Sequence, residues 1–327
     1  MSTRKPTIVR ARLRADPVAQ MAEEIRAGLA EPLPSLPCKY FYDDRGSELF
    51  DDITRVPEYY QTRTEEGILE RIAADVIRRT QPRELVELGA GLGRKIRLLV
   101  NAAPGVADGG RLILFDVNET CLEEAGARLL GEYPALAVTG IVGDFDSPDL
   151  DLLGPGKGRL AVFFAGTIGN LHPSEVPPFL RRLAGSLGPG DAFLVGVDLV
   201  KDEARLNAAY NDAAGVTAEF NRNILRVVNQ RLDGDFDPAA FDHVAFYDPE
   251  RAWVEMRLRA RRALDVRIKR AGLQLHYERG DEIRTEISCK YTRESFEALL
   301  RGTSLTPEQW YTDDGQLFAL VLLRSAR

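Results

Sequence analysis

The chain has 327 residues, of which 44% are hydrophobic and 28% charged, with 43 Lys plus Arg against 50 Asp plus Glu for a net charge of −7. At about 150 residues per domain this length suggests two structural units, and the composition excludes a disordered or fibrous chain. The acidic balance argues against a protein that coats nucleic acid, and Cys38, Cys121 and Cys289 are too scattered for a disulfide framework or a C-x-x-C metal site.

In chain order, the N-terminal stretch MSTRKPTIVRARLRAD is charged throughout and lacks the apolar core of a signal peptide. Residues up to 60 read as irregular, rich in Pro and in aromatics such as Tyr40, Phe41, Tyr42, Phe50, Tyr59 and Tyr60. Thr62-x-x-Glu65 reads as a capping box opening a helix, because Ile68, Leu69, Ile72, Val76 and Ile77 recur at helical spacing. Short apolar runs then alternate with helical stretches. Strands are expected at 84–88, 111–116, 137–142, 160–164 and 192–197, with helices at 95–102, 119–133 and 173–187. That alternation predicts a parallel, doubly wound sheet.

The rhythm breaks after Val200 and resumes only with an expected strand at 286–291. A single crossover does not need so long an interval, so 201–285 reads as an inserted α+β unit. A helix is expected at 217–232, with Phe220, Ile224, Leu225, Val228 and Leu232 on one face. An alternating strand follows at 253–261, then a hairpin made by 266–269 and 273–277. The expected domains are 61–200 plus 286–327, and 1–60 plus 201–285. A helix near 295–300 and a last strand at 317–323, entered through Asp314-Gly315, complete the reading.

The strongest chemical signal is Glu87-Leu88-Gly89-Ala90-Gly91-Leu92-Gly93, which follows a strand and precedes a helix. It is G-x-G-x-G, with Arg94 where a dinucleotide loop carries its third glycine, and it resembles the first motif of Rossmann-like S-adenosylmethionine (AdoMet) methyltransferases. Asp116 ends the next strand, where a carboxylate can accept from both ribose hydroxyls. Asp144-Phe145 follows the third, offering an acceptor for an adenine amine and a ring for the purine face. Each feature alone is as well explained by a turn or a solvated strand end. Their convergence at the carboxyl ends of successive strands favours a cofactor site.

Nearly the whole chain resembles the histidine-specific Nα-methyltransferases, which make hercynine on the path to ergothioneine. The resemblance rests on Tyr40-Phe41-Tyr42-Asp43, Gly46-Ser47-Glu48-Leu49-Phe50-Asp51, Pro57-Glu58-Tyr59-Tyr60, Thr62-Arg63-Thr64-Glu65, the run from Glu87 to Lys95, Gly166-Thr167-Ile168-Gly169-Asn170 and Arg284-Thr285-Glu286-Ile287-Ser288. It implies a Rossmann-like α/β methyltransferase sheet with a second α+β domain formed by the N-terminal segment and the insertion. It implies that AdoMet lies against Tyr42, Gly89, Lys95, Asp116, Asp144 and Phe145. It also implies that Asn170 and Tyr210 hold the amino-acid end of histidine, with Phe50, Tyr59 and Gly166 nearby, and that Glu286, Ser288 and Met256 surround the imidazole. Tyr42, Asn170 and Tyr210 are the expected catalytic residues.

The residue chemistry agrees. Residues i and i+2 of a strand point to one face, so Glu286 and Ser288 can address the two nitrogens of one small ring. A methyltransferase acting on another amino acid and a catalytically silent AdoMet-binding protein stand as alternatives. A nucleic-acid base methyltransferase is disfavoured by the absence of an N-P-P-Y-like loop after the fourth strand. His172, His243 and His276 lack metal-ligand spacing, and no run reaches the roughly 18 apolar residues that span a bilayer. The expectation is a cytoplasmic monomer without metal, membrane or nucleic-acid partner.

Overall fold

The computed structural model describes residues 5–10 and 16–326. Its contacts divide the chain into two units: the described residues within 1–11, 61–200 and 289–327, and those within 12–60 and 201–288. Among the described residues the strands are β1 (Thr7–Arg10), β2 (Glu84–Leu88), β3 (Arg111–Asp116), β4 (Ala137–Val142), β5 (Arg159–Phe163), β6 (Ala192–Asp198), β7 (Phe241–Asp248), β8 (Trp253–Ala260), β9 (Leu264–Ile268), β10 (Leu273–Tyr277), β11 (Glu282–Cys289), β12 (Leu305–Thr312) and β13 (Phe318–Ser325). None of the described helices is long and apolar enough to cross a membrane.

The first unit is built on an eight-stranded sheet in the order β1-β4-β3-β2-β5-β6-β13-β12. The pairs from β1 to β6 are parallel, whereas β13 runs antiparallel to both β6 and β12. Every residue of β2, β5 and β6 is buried, as strands covered on both faces must be. The chain leaves β2 towards β3 and β4, then returns to pair β5 on the other side of β2. This reversal is the topological switch point at which open α/β sheets bind ligands, beyond the carboxyl ends of the strands. Leu88 is level with both Phe115 and Phe163 in the register, so the loops after β2, β3 and β5 leave the sheet at the same height.

The second unit contains a three-stranded sheet, β11-β8-β7, and the β9–β10 hairpin. Helix Val216–Leu232 supplies buried Phe220, Ile224, Leu225, Val228 and Leu232 to its core. Gly272 turns the hairpin with φ of 65°, and Leu273 pairs Ile268 antiparallel as expected. The arginines on β8 are neutralised by carboxylates. Arg257 bridges Glu255 and Glu282, at 2.7 and 2.6 Å, and Arg259 also meets Glu282 at 2.6 Å.

Four expectations need correction. Residues 1–60 do not fall wholly in the second unit: Thr7–Arg10 adds a parallel edge strand to β4, and Gly140 leaves the space that Ile8 fills. Nor is the segment up to 60 irregular. Asp16 caps helix Pro17–Leu29, and Asp43 caps Asp44–Ile53 through the amide of Gly46 at 2.7 Å. The strand expected at 286–291 spans Glu282–Cys289 and joins the three-stranded sheet, while beyond it only the Leu199–Tyr291 bridge lies alongside β6. Finally, Thr62-x-x-Glu65 is not a capping box. The helix spans Gln61–Thr80, so both residues lie within it, and the Glu65 carboxylate bonds elsewhere.

Candidate active site

The glycine loop takes its shape from backbone conformations that side chains disfavour. Gly89, Gly91 and Gly93 have φ of 63°, 48° and 60°. The loop is tied to the neighbouring strand: the Ala90 amide donates to the Phe115 carbonyl (3.1 Å), and the Gly91 amide donates to Asp116 Oδ2 (2.8 Å). Asp116 Oδ1 accepts from the Asn118 amide at 2.9 Å, and burial raises the carboxyl's pKa against these amide bonds. After β4, Asp144 accepts from the Asp146 amide (2.9 Å), and Phe145 sets its edge against Phe163, with centroids 4.9 Å apart. Gly89, Asp116, Asp144 and Phe145 therefore all stand at the carboxyl edge of one sheet.

Two buried carboxylates reinforce this edge. Glu87 is 3% exposed and its Oε2 has no hydrogen-bond partner. Burial drives its pKa well above the ordinary range; Lys95 opposes that shift, whereas Glu65 and Asp116 add to it. Glu65 is fully buried, pairs with the Lys95 ammonium, and accepts from the Ala165 amide at 2.8 Å. Burial is again the leading cause of its raised pKa. Such an edge fits a ligand that brings positive charge to it. The turn after β5 is also unusual, because Ala165 and Gly166 are both left-handed, with φ of 63° and 65°. It leads into a short 3-10 helix, Thr167–Asn170, which ends at the expected substrate residue.

In the second unit, Tyr42, Phe50 and Tyr59 come together. Phe50 lies edge-on to Tyr42 at 5.8 Å and to Tyr59 at 6.2 Å. Phe220, which the sequence reading counted only as helix core, completes the cluster at 5.8 Å from Tyr42 and 6.1 Å from Phe50. On β11, the Tyr210 hydroxyl donates to Ser288 Oγ at 2.8 Å, joining two expected substrate residues, and Glu286 stands two positions before Ser288. Met256 on β8 is buried, and its carbonyl lies 3.2 Å from the Thr285 hydroxyl.

A polar chain that the sequence did not reveal supports this group. Thr285 donates to Asn221 Oδ1 (2.6 Å), the Asn221 amide donates to His243 Nδ1 (2.8 Å), and His243 Nε2 donates to the Tyr210 carbonyl (2.8 Å). Both ring nitrogens of His243 are thus engaged in its neutral form, and burial lowers its pKa. Among the described residues no group of three or more His, Cys, Asp or Glu is arranged to hold a metal ion.

A profile described as histidine-specific methyltransferase, SAM-dependent, matches residues 21–325. The chain belongs to the histidine-specific, SAM-dependent methyltransferase family. Within this family it is 45% identical to histidine N-alpha-methyltransferase of Mycolicibacterium smegmatis, over 95% of this chain and 97% of that protein. It is 42% identical to the Mycobacterium tuberculosis protein of the same name, over 92% and 94%. It is also 30% identical to ergothioneine biosynthesis protein 1 of Neurospora crassa, over 89% of this chain and 33% of that longer protein.

Proposed function

We propose that the protein methylates the α-amine of L-histidine three times at the expense of AdoMet, yielding hercynine, the precursor form of histidine for ergothioneine. The observation that carries the choice of substrate is the arrangement on β11, where Glu286 precedes a Ser288 bonded to the Tyr210 hydroxyl. A carboxylate accepts an imidazole N–H, and a serine hydroxyl can donate to the other ring nitrogen. An indole offers one N–H and no partner for the second group.

AdoMet, when bound, supplies a methyl group on a positively charged sulfur. The chain's residues have to hold, align and desolvate. Asp116 takes the ribose hydroxyls, while Asp144 and Phe145 take the adenine amine and ring. Lys95 takes the methionine carboxylate, alongside the Gly89 loop and Tyr42. Asn170 and Tyr210 orient the histidine amine and carboxylate so that the nitrogen lone pair lies in line with the carbon–sulfur bond, with Gly166 leaving room beside them. Placement of this kind can supply several kcal/mol of the barrier. Each transfer forms a carbon–nitrogen bond as the carbon–sulfur bond breaks, and a proton leaves the nitrogen. The final product is a fixed cation, which the ring faces of Tyr42, Phe50 and Tyr59 suit.

The test is an amino-acid panel incubated with AdoMet and read by mass, for the native protein and for Glu286→Ala. Histidine is expected to gain three methyl groups. The substitution should lower kcat/KM for histidine roughly 10- to 150-fold, the range for a hydrogen bond to a charged group, with AdoMet affinity retained. Arrest after one methyl with AdoMet in excess contradicts trimethylation. Equal losses on histidine, tryptophan and phenylalanine contradict the role of Glu286.

A further inference from the structure

The buried carboxylate of Glu65 serves two loops at once. Its side chain is 0% exposed and pairs with Lys95, whose side chain is 12% exposed. Its oxygens also accept from the Ala165 amide at 3.0 and 2.8 Å. Ala165 is held at φ 63°, a conformation that a residue with a Cβ adopts only where its surroundings enforce it. The sheet makes room for this carboxylate. A Cβ on Gly196 of β6 would lie 2.2 Å from Glu65 Oε1, so no larger residue fits there while Glu65 keeps its place. Full burial of an acid beside a strained turn, facing a glycine whose Cβ would press on both the carboxylate and the Phe318 ring, exceeds what a helix residue needs for folding.

We propose that Glu65 is a positioning residue that sets the Lys95 ammonium for the carboxylate of AdoMet and, through the Ala165 amide, fixes the left-handed turn leading to Asn170. One side chain then places a cofactor contact and a substrate contact together. The proposal rests on the reading of Lys95 and Asn170 given above, and it assigns Glu65 no contact with either ligand.

Glu65→Gln removes the charge and keeps an acceptor. Oε2 accepts from both Lys95 and Ala165, so a Gln carbonyl in its place still holds the Ala165 amide but no longer gives the ammonium an ionic partner. AdoMet affinity, measured by calorimetry, should fall roughly tenfold, while the KM for histidine at saturating AdoMet stays within about twofold. Gly196→Ala, which displaces the carboxylate from both partners, should raise both. Lys95→Met alone strands a buried charge and can fail to fold, so the neutral double variant Glu65→Gln/Lys95→Met carries the comparison. Its AdoMet affinity should match that of Glu65→Gln. A double variant much weaker than Glu65→Gln shows that Lys95 works without Glu65 and overturns the proposal, as does Glu65→Gln with native affinity beside a weakened double variant. A double variant with native affinity instead removes Lys95 from the cofactor and overturns the reading beneath the proposal.

Discussion

Glu84 and Glu87 lie three residues apart on β2, are 5% and 3% exposed, and meet opposite surroundings. At the amino end of the sheet, Glu84 pairs with the buried guanidinium of Arg159 at 2.6 Å. Arg159 also donates to the carbonyls of Leu153, Gly154 and Ser186 at 2.7–2.9 Å. Its amide donates to Asp191, which also accepts from Gly188. At the carboxyl end, Glu87 keeps an oxygen without a partner, while Glu65 and Asp116 are desolvated against their will. A buried network that satisfies every member stabilises the fold, whereas one left short of positive charge costs stability and is retained for a ligand. Under the proposed function, the two ends of one sheet divide these tasks.

The largest effect should come from the saturated end. Arg159→Met leaves Glu84 buried beside only the exposed Arg111, and unfolding in urea should lose about 3–5 kcal/mol. AdoMet affinity of the folded fraction should remain native; a large loss of affinity would break the division. Next, Asp116→Ala should weaken AdoMet by about 1.5–3 kcal/mol in a calorimetric titration. Unchanged affinity removes Asp116 from the site. The smallest effect is on pH dependence. The Glu87 carboxyl is raised well above its ordinary 4.5, so the stability it contributes is complete below that value and declines as pH rises through the elevated folded pKa. The ligand-free protein should therefore lose up to about 1.4 kcal/mol per pH unit from this group, and Glu87→Gln should flatten the slope. An identical slope in the variant assigns the pH dependence elsewhere.

Much of this was legible in the sequence because the strands of the doubly wound sheet are short apolar runs closed by Gly or Asp. The expected bounds of β2, β3 and β4 coincide with those observed. What escaped were elements defined by their partners. β1 is four residues with one half-buried side chain, and it exists because β4 offers an edge. β12 contains Pro307 and a register shift beside it, which hide its alternation. β11 carries a polar alternation that suits either sheet, and the Thr285 hydroxyl bonds identify its neighbours. At the candidate site, the glycine loop, Asp116 and Phe145 are proposed from their position after strands. Glu65 was missed, because Thr62-x-x-Glu65 has the local spacing of a cap while its partners, Lys95 and Ala165, lie 30 and 100 residues away.

Making the same chemical change at both ends of β2 tests whether one end supports the fold and the other a ligand. Glu84→Gln and Glu87→Gln are to be compared with the native protein by urea unfolding and AdoMet titration on the same samples. The two variants should give crossing results. Glu84→Gln leaves Arg159 without its buried counter-charge, so it should lose stability and keep native affinity. Glu87→Gln relieves a desolvated carboxylate, so it should hold or gain stability and bind AdoMet more weakly. Parallel behaviour, with both variants losing stability and neither losing affinity, would make the carboxyl end of the sheet as purely structural as the amino end.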